Sequence, residues 1–178
     1  MIKATFINSK NTKISFNRLT TSPSFSYLAF EVKNILKFLG CSKVVCTVEA
    51  LHFEHCPILP HYEDVASSLL KLSCLKAIVI CQCDLAPFFE TPSPPAVWCP
   101  RVEELKIHPL GNPFESTESE ILGRVLDIAV SRQEHAIPLK TFTLISRDAE
   151  RLSQACGRQI EELGDWVESV QVLQKREC

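Results

Sequence analysis

The feature that most constrains the fold of this 178-residue chain is a short pattern that occurs five times. Each copy has the form aliphatic-x-x-apolar-x-apolar, and the copies begin at Val48, Leu75, Val102, Leu139 and Val167. Successive starts are separated by 27, 27, 37 and 28 residues, so three of the four steps agree within one residue. A pattern with a nearly constant period predicts one structural unit that is stacked several times.

The spacing inside each copy predicts a short strand. The fourth and sixth positions, such as Leu51 and Phe53, alternate with neighbours that we expect to be exposed, as the two faces of a strand require. A period in the twenties with this pattern is the signature of leucine-rich repeats. We therefore expect an α/β leucine-rich-repeat solenoid with short parallel strands on its concave side and helices on its convex side. It would be a single domain over residues 1–178, irregular at 1–44 and regular at 45–178.

The segments between the predicted strands have helical periodicity. One helix is expected from His61 to Leu72, and a longer one is opened by Thr117 and Glu120, which are placed as a capping box. This longer helix and its loop explain the 37-residue step. A last helix is expected from about Asp148 to Leu163, with Gly164 as its stop. The predicted apolar stripes are Ile121, Leu122, Val125, Ile128 and Ala129 in the long helix, and Leu152, Ala155, Cys156, Ile160 and Leu163 in the last.

Three other segments are less regular. Residues 2–7 and 12–16 resemble two strands joined by a polar turn. Residues 25–31 fit either a repeat strand or a helical face, and we favour a strand at 26–31 followed by a helix to Leu39. The proline-rich residues 90–96 predict a loop, whose part in binding the sequence leaves open.

Composition excludes several classes of protein. With 19 basic and 21 acidic side chains the formal net charge is −2, which argues against an electrostatic nucleic-acid binder. No apolar run approaches the roughly 18 residues of a membrane-spanning helix, and the first residues lack the pattern of a signal peptide. The nine cysteines are therefore interpreted as reduced thiols of a cytoplasmic or nuclear protein. Cys56 and Cys83, at the ninth place of their copies, are expected to be half buried where the chain leaves the strand.

No motif for phosphate binding, metalloprotease chemistry or serine hydrolysis occurs. A zinc site could draw on a group of histidines and cysteines, but the Cys-x-Cys pair lies on a predicted strand and has no second pair. Cys81 and His108 could form a nucleophile pair, yet the sequence supplies no oxyanion donor. We therefore expect no catalytic residues, no metal site, no cofactor and no enzymatic activity. The candidate ligands for zinc are His52, His55, Cys56, Cys81, Cys83 and His108.

The third, fifth and seventh positions of the copies would share the concave face of the solenoid. They form a mixed, partly apolar surface, which suits contact with a protein better than contact with a charged small ligand. The candidate binding residues are His52, Glu54, Val79, Cys81, Glu104, Lys106, His108, Thr141 and Thr143.

The cysteine-tipped repeats, with residues 98–105 and 119–124, resemble the C-terminal repeat region of fungal F-box proteins. The resemblance covers about residues 45–173. It implies that an N-terminal F-box would dock a Skp-type adaptor of a cullin ubiquitin ligase, while the repeats receive the protein substrate. This chain begins directly on a predicted strand, so the adaptor is expected only if the full-length protein has an F-box.

Residues 2–7 would cap the first unit poorly, which favours a truncated product. Two alternatives to the substrate receptor remain. One is a truncated or degenerate repeat fragment without independent activity, and the other is a zinc-binding protein that uses the histidines and cysteines. Neither a nucleic acid nor a membrane is expected as a partner.

Overall fold

The computed structural model describes residues 2–8, 13–18, 48–54, 69, 72–83, 85, 89, 97, 99–109 and 117–175. Within these residues, seven strands and two helices have defined bounds. The helices are α1 (Glu118–Glu134) and α2 (Ala149–Gly164). The strands are β1 (Ile2–Asn8), β2 (Lys13–Arg18), β3 (Val48–Glu54), β4 (Ala77–Cys81), β5 (Glu104–His108), β6 (Leu139–Ser146) and β7 (Val167–Gln174).

All seven strands form one sheet in the order β2-β1-β3-β4-β5-β6-β7. The five strands from β3 to β7 are parallel, and each pairs with the next one along the chain. Parallel neighbours need a crossover connection, and α1 and α2 supply it between β5 and β6 and between β6 and β7. The prediction of an α/β fold built on a parallel sheet is confirmed.

The strands pair in the register of the sequence repeat. The fourth positions lie side by side from Leu51 through Ile78 and Leu105 to Phe142, and the sixth positions follow the same order. At both positions in β3 to β6 the side chains are at most 1% exposed. Burial of one large apolar side chain contributes about 1.5–3 kcal/mol, so these two rows form the centre of the core. The sixth-position residues are Phe53, Ile80, Ile107 and Leu144.

Helix α1 begins as the sequence predicts. The backbone N–H of Glu120 donates to Thr117 Oγ1 at 3.3 Å, and the Thr117 N–H donates to Glu120 Oε2 at 2.6 Å. This reciprocal pair is the predicted capping box. All five residues of the predicted stripe are buried, and they join the strand side chains in one cluster. The helix therefore covers one face of the sheet.

Helix α2 begins after Asp148, whose carboxylate accepts from the Arg151 N–H at 3.0 Å, and it ends at Gly164 as predicted. The prediction that Ala155 lies on its buried face is wrong, because Ala155 is exposed. The backbone at Cys156 leaves helical geometry (φ −120°, ψ 17°), and this irregularity interrupts the regular spacing. Leu152, Cys156 and Leu163 are buried as expected, and Ile160 is partly buried against the core.

Both predicted N-terminal strands are present. The prediction that residues 2–7 cap the first unit would place β1 at the end of the sheet, and β1 does not lie there. Instead β1 pairs in antiparallel fashion with both β2 and β3, so β2 is the outermost strand on that side. The earlier of the two strands in the sequence therefore lies inside the sheet.

Several predictions fall outside the described residues. They are the strand or helix at 25–39, most of the helix expected from His61, the proline-rich loop at 90–96, and the place of Cys56. Of the His61 helix, Leu69 and Leu72 are described, and both are buried in the core.

Candidate functional site

The sheet has a second face, opposite the one that α1 covers. Side chains alternate along each strand, so the third, fifth and seventh positions of the repeat face away from the core. We call this surface the open face. Most of its side chains are half-buried or exposed, whereas the fourth and sixth positions are closed off from solvent. In β3 to β6 the open face comprises Ala50, Ala77, Glu104, Thr141, His52, Val79, Lys106, Thr143, Glu54, Cys81, His108 and Ile145.

The structure brings all nine predicted binding residues together on the open face. The fifth positions pair across four adjacent strands, from His52 through Val79 and Lys106 to Thr143. The other predicted residues lie in the flanking rows. The pairs there are Glu54 with Cys81, Cys81 with His108, and Glu104 with Thr141.

The chemistry of the open face is mixed. Glu54 and Glu104 are acidic, Lys106 is basic, and Val79 and Ile145 offer apolar area between them. The Thr143 side chain is only 8% exposed, so the fifth-position row offers less accessible surface on β6 than on β3 to β5. The open face therefore interleaves both charges with apolar groups.

The seventh-position row sets a carboxylate, a thiol and an imidazole beside one another as Glu54, Cys81 and His108. The residues that the structure describes contain no group of three or more side chains placed to hold a metal ion. His55 and Cys56, two of the six candidate zinc ligands, lie outside them. Cys83 was expected to be half buried, but it is only 1% exposed, and its Sγ donates to the Cys81 carbonyl at 3.2 Å. Cys83 therefore belongs to the core and not to the open face.

Position two of the repeat carries a charge pattern that the sequence analysis missed. Glutamate and lysine alternate there across the five copies, in the order Glu49, Lys76, Glu103, Lys140 and Glu168. Because these residues occupy the same place in consecutive repeat copies, neighbours of opposite charge meet. Lys76 Nζ lies 3.8 Å from Glu49 Oε1, and Lys140 Nζ lies 2.9 Å from Glu103 Oε2. We call these five residues the charge column.

The ion pair between Glu103 and Lys140, which is shorter than the one between Glu49 and Lys76, shifts the pKa values of both its members. The hydrogen bond from Lys140 lowers the pKa of the Glu103 carboxyl below its ordinary value, and the same bond raises the pKa of Lys140. Both side chains are largely exposed, so solvent screens the pair and its contribution to stability is small.

A groove of about 510 Å³ lies along the amino ends of β3 to β6. The members of the charge column from Glu49 to Lys140 line it, together with Arg101 and Pro138. The groove is separate from the open face, since it runs past the starts of the strands and includes the residue that precedes β6.

The side chain of Arg132 at the end of α1 is 1% exposed, which the sequence analysis also missed. Its guanidinium donates to the main-chain carbonyls of Cys99 and Val102. Burial lowers the pKa of Arg132, and burial raises the pKa of the Cys99 thiol to about 12. The sequence does contain a signal for this burial, because Arg132 continues the helical spacing of the buried residues Val125 and Ala129.

No protein-family model, curated protein or solved structure matches this chain. Neither α1 nor α2, the helices with defined bounds, has the length and apolar character to cross a membrane.

Proposed function

We propose that this chain is a leucine-rich-repeat solenoid that recognises a protein partner through its open face and performs no catalysis. Its partner would contact the fifth- and seventh-position rows of β3 to β6. By its resemblance to fungal F-box proteins, the chain would be the substrate-receiving part of a ubiquitin-ligase subunit. A Skp-type adaptor would bind only through an F-box elsewhere in the full-length protein.

The observation that carries the proposal is the agreement between the sequence repeat and the strand register. Residues at the same place in each copy are direct neighbours in the sheet, as in the pair Val79 and Lys106. Stacked units with this property form long, regular surfaces, and repeat proteins use such surfaces for binding. The leucine-rich-repeat assignment rests on this register and on the period of 27 or 28 residues.

The chemistry of the open face supports a protein partner. Lys106 at its centre provides one positive charge, with Val79 on the neighbouring strand and Thr143 on the other side. A partner would place a carboxylate near Lys106 and apolar groups over Val79. Contacts near the centre of an interface, where water is excluded, contribute most to the binding free energy.

Affinity purification of the tagged full-length gene product, followed by mass spectrometry, tests the proposal. The wild type is compared with Lys106→Glu on the open face. Arg124→Glu, an exposed residue of α1 on the opposite side, makes the same change of charge and serves as the matched control. Binding of a purified partner to each form is then measured by calorimetry, with circular dichroism to show that the variants fold.

We expect a partner whose affinity falls at least tenfold with Lys106→Glu and is unchanged with Arg124→Glu, because the charge reversal repels the partner's carboxylate. Recovery of a Skp-type adaptor would support the ligase assignment. A partner without any ligase subunit would contradict that assignment and leave protein recognition in place. A partner that is insensitive to Lys106→Glu would contradict recognition by the open face.

A further inference from the structure

Strand β7 ends the sheet within the described part of the chain. Its residues Val170 and Val172 continue the two core rows, where they pair with Phe142 and Leu144. Phe142 and Leu144 are 0% exposed, but Val170 and Val172 are only partly buried against the same core. The core therefore continues into β7 and stops there incompletely covered.

Within Val167–Gln174, strand β7 lacks the sequence features that usually protect an edge strand. Such strands are commonly kept from pairing by lysines, prolines, bulges or very short length. Strand β7 has eight residues without proline, and between Val167 and Gln174 its only charged residue is Glu168. It pairs with β6 in one unbroken register. Leu173, on the open-face side, is 43% exposed.

The charge column also stops at β7. Lys140 lies between two glutamates, since it bonds Glu103 at 2.9 Å and the charge of Glu168 further raises its pKa. Glu168 is exposed, and on its outer side no described strand supplies the lysine that the alternation would place there. A strand that continued the sheet would meet an acidic residue at position two and two partly buried valines at positions four and six.

We propose that the outer edge of β7 binds an extended segment of a partner protein as an additional parallel strand. The segment has an aliphatic first residue, lysine or arginine second, and apolar fourth and sixth residues. Its main chain hydrogen-bonds to β7, its basic residue lies beside Glu168, and its apolar residues cover Val170 and Val172. This surface is distinct from the open face and does not depend on the function proposed for it.

A synthetic peptide provides the probe. Strand β6 has the required pattern, so the labelled peptide Leu-Lys-Thr-Phe-Thr-Leu-Ile-Ser, which copies residues 139–146, is titrated into the chain and followed by fluorescence anisotropy. A second peptide carries glutamate in place of its lysine. Two further peptides are N-methylated at alternate amides, one at the odd positions and one at the even positions.

We expect saturable binding of the lysine peptide and binding of the glutamate peptide that is about two- to fivefold weaker, the range of an exposed ion pair. Only one N-methylated peptide should lose binding, because alternate amides of a strand point toward the same neighbour. The Glu168→Lys variant should reverse the preference between the lysine and glutamate peptides. Glu161→Lys, at an exposed position on α2, is the matched control and should leave the preference unchanged.

Absence of saturable binding up to about 1 mM peptide would overturn the proposal. An unchanged preference in Glu168→Lys, or equal binding of the two N-methylated peptides, would do the same. Sedimentation velocity of the chain alone tests whether a second copy of the chain occupies this edge. A dimer that excludes the peptide would assign this edge to a second copy of the chain, and the proposed partner segment would be wrong.

Discussion

The guanidinium of Arg132, in the last turn of α1, donates a hydrogen bond to the main-chain carbonyl of Cys99, which lies 33 residues earlier. A second bond from the same group reaches Val102. Cys99 has a φ of 36°, a left-handed conformation that costs a non-glycine residue about 1–2 kcal/mol. Arg132 thus holds the turn that leads into β5 and joins the end of α1 to the repeat before it.

Replacement of Arg132 by methionine should destabilise the chain by about 2–4 kcal/mol. The change removes both hydrogen bonds and leaves two buried carbonyls without these donors. Arg124→Met, at an exposed position of the same helix, should change stability by no more than about 0.5 kcal/mol. Urea denaturation followed by circular dichroism measures both. Equal stability of the two variants would show that Arg132 does not hold the turn.

Ala136→Gly should stabilise the chain by about 1 kcal/mol. Helix α1 ends with bonds from the Ala136 N–H to the Gln133 carbonyl and from the Ile137 N–H to the Arg132 carbonyl, the Schellman arrangement. Ala136 has a φ of 59°, where glycine avoids the steric cost of a Cβ. Thermal and urea denaturation should show a higher midpoint. Ala155→Gly, an exposed position inside α2, should have the opposite effect.

Thr117→Ala should cost about 1 kcal/mol, because the Glu120 N–H would lose its side-chain acceptor. Thr117→Ser keeps the hydroxyl and is expected to retain most of the stability. Denaturation in urea distinguishes these outcomes, and an equal loss in both variants would mean that the methyl group of Thr117 matters more than its hydroxyl.

The cysteines should differ in reactivity in the folded chain. The Cys99 thiol has a pKa raised to about 12 by burial, so it stays protonated near neutral pH and is a poor nucleophile. Cys74 is half-buried and lines the groove at the strand starts. Alkylation with iodoacetamide followed by peptide mass spectrometry should label Cys74 before Cys99, which should react only in urea. Early labelling of Cys99 would contradict its burial.

The Glu103–Lys140 pair predicts a specific pH dependence. Because the pKa of Glu103 is lowered from 4.5, its contribution to stability is present above that value and is lost as the pH falls through the lowered pKa. The pKa of Lys140 is raised from 10.5, so its contribution is present below 10.5 and is lost as the pH rises through the raised pKa. The stability difference between wild type and Glu103→Gln should therefore shrink as the pH falls from neutral through the lowered pKa of Glu103. It should also shrink in high salt, and a difference independent of pH would refute the assignment.

The sheet of repeats could be predicted from the sequence because each strand repeats the spacing of its apolar residues. Leu51 and Ile78 occupy the same place in consecutive copies, and residues with the same place become neighbours when units stack. The nine open-face residues follow from the same periodicity, as does the capping box at Thr117. Local patterns were sufficient for these features.

The remaining features depend on long-range packing. Arginine is seldom buried, so helical spacing alone does not predict the burial of Arg132, which depends on the distant carbonyls of Cys99 and Val102. Strand β1 lies between β2 and β3 because β1, and not β2, pairs with the first repeat strand. The local sequence of neither strand determines which of the two makes that pairing. The exposure of Ala155 follows from the backbone irregularity at Cys156, which helical periodicity does not anticipate.

The step from Val102 to Leu139 is 37 residues long, yet β5 and β6 pair in the same register as strands separated by 27. The additional residues are accommodated outside the sheet, in the connection that contains α1. The number of residues in a repeat unit therefore does not determine how its strand aligns with the next strand. A connection can gain or lose residues during evolution, or in protein engineering, without shifting any side chain of the sheet relative to its neighbours.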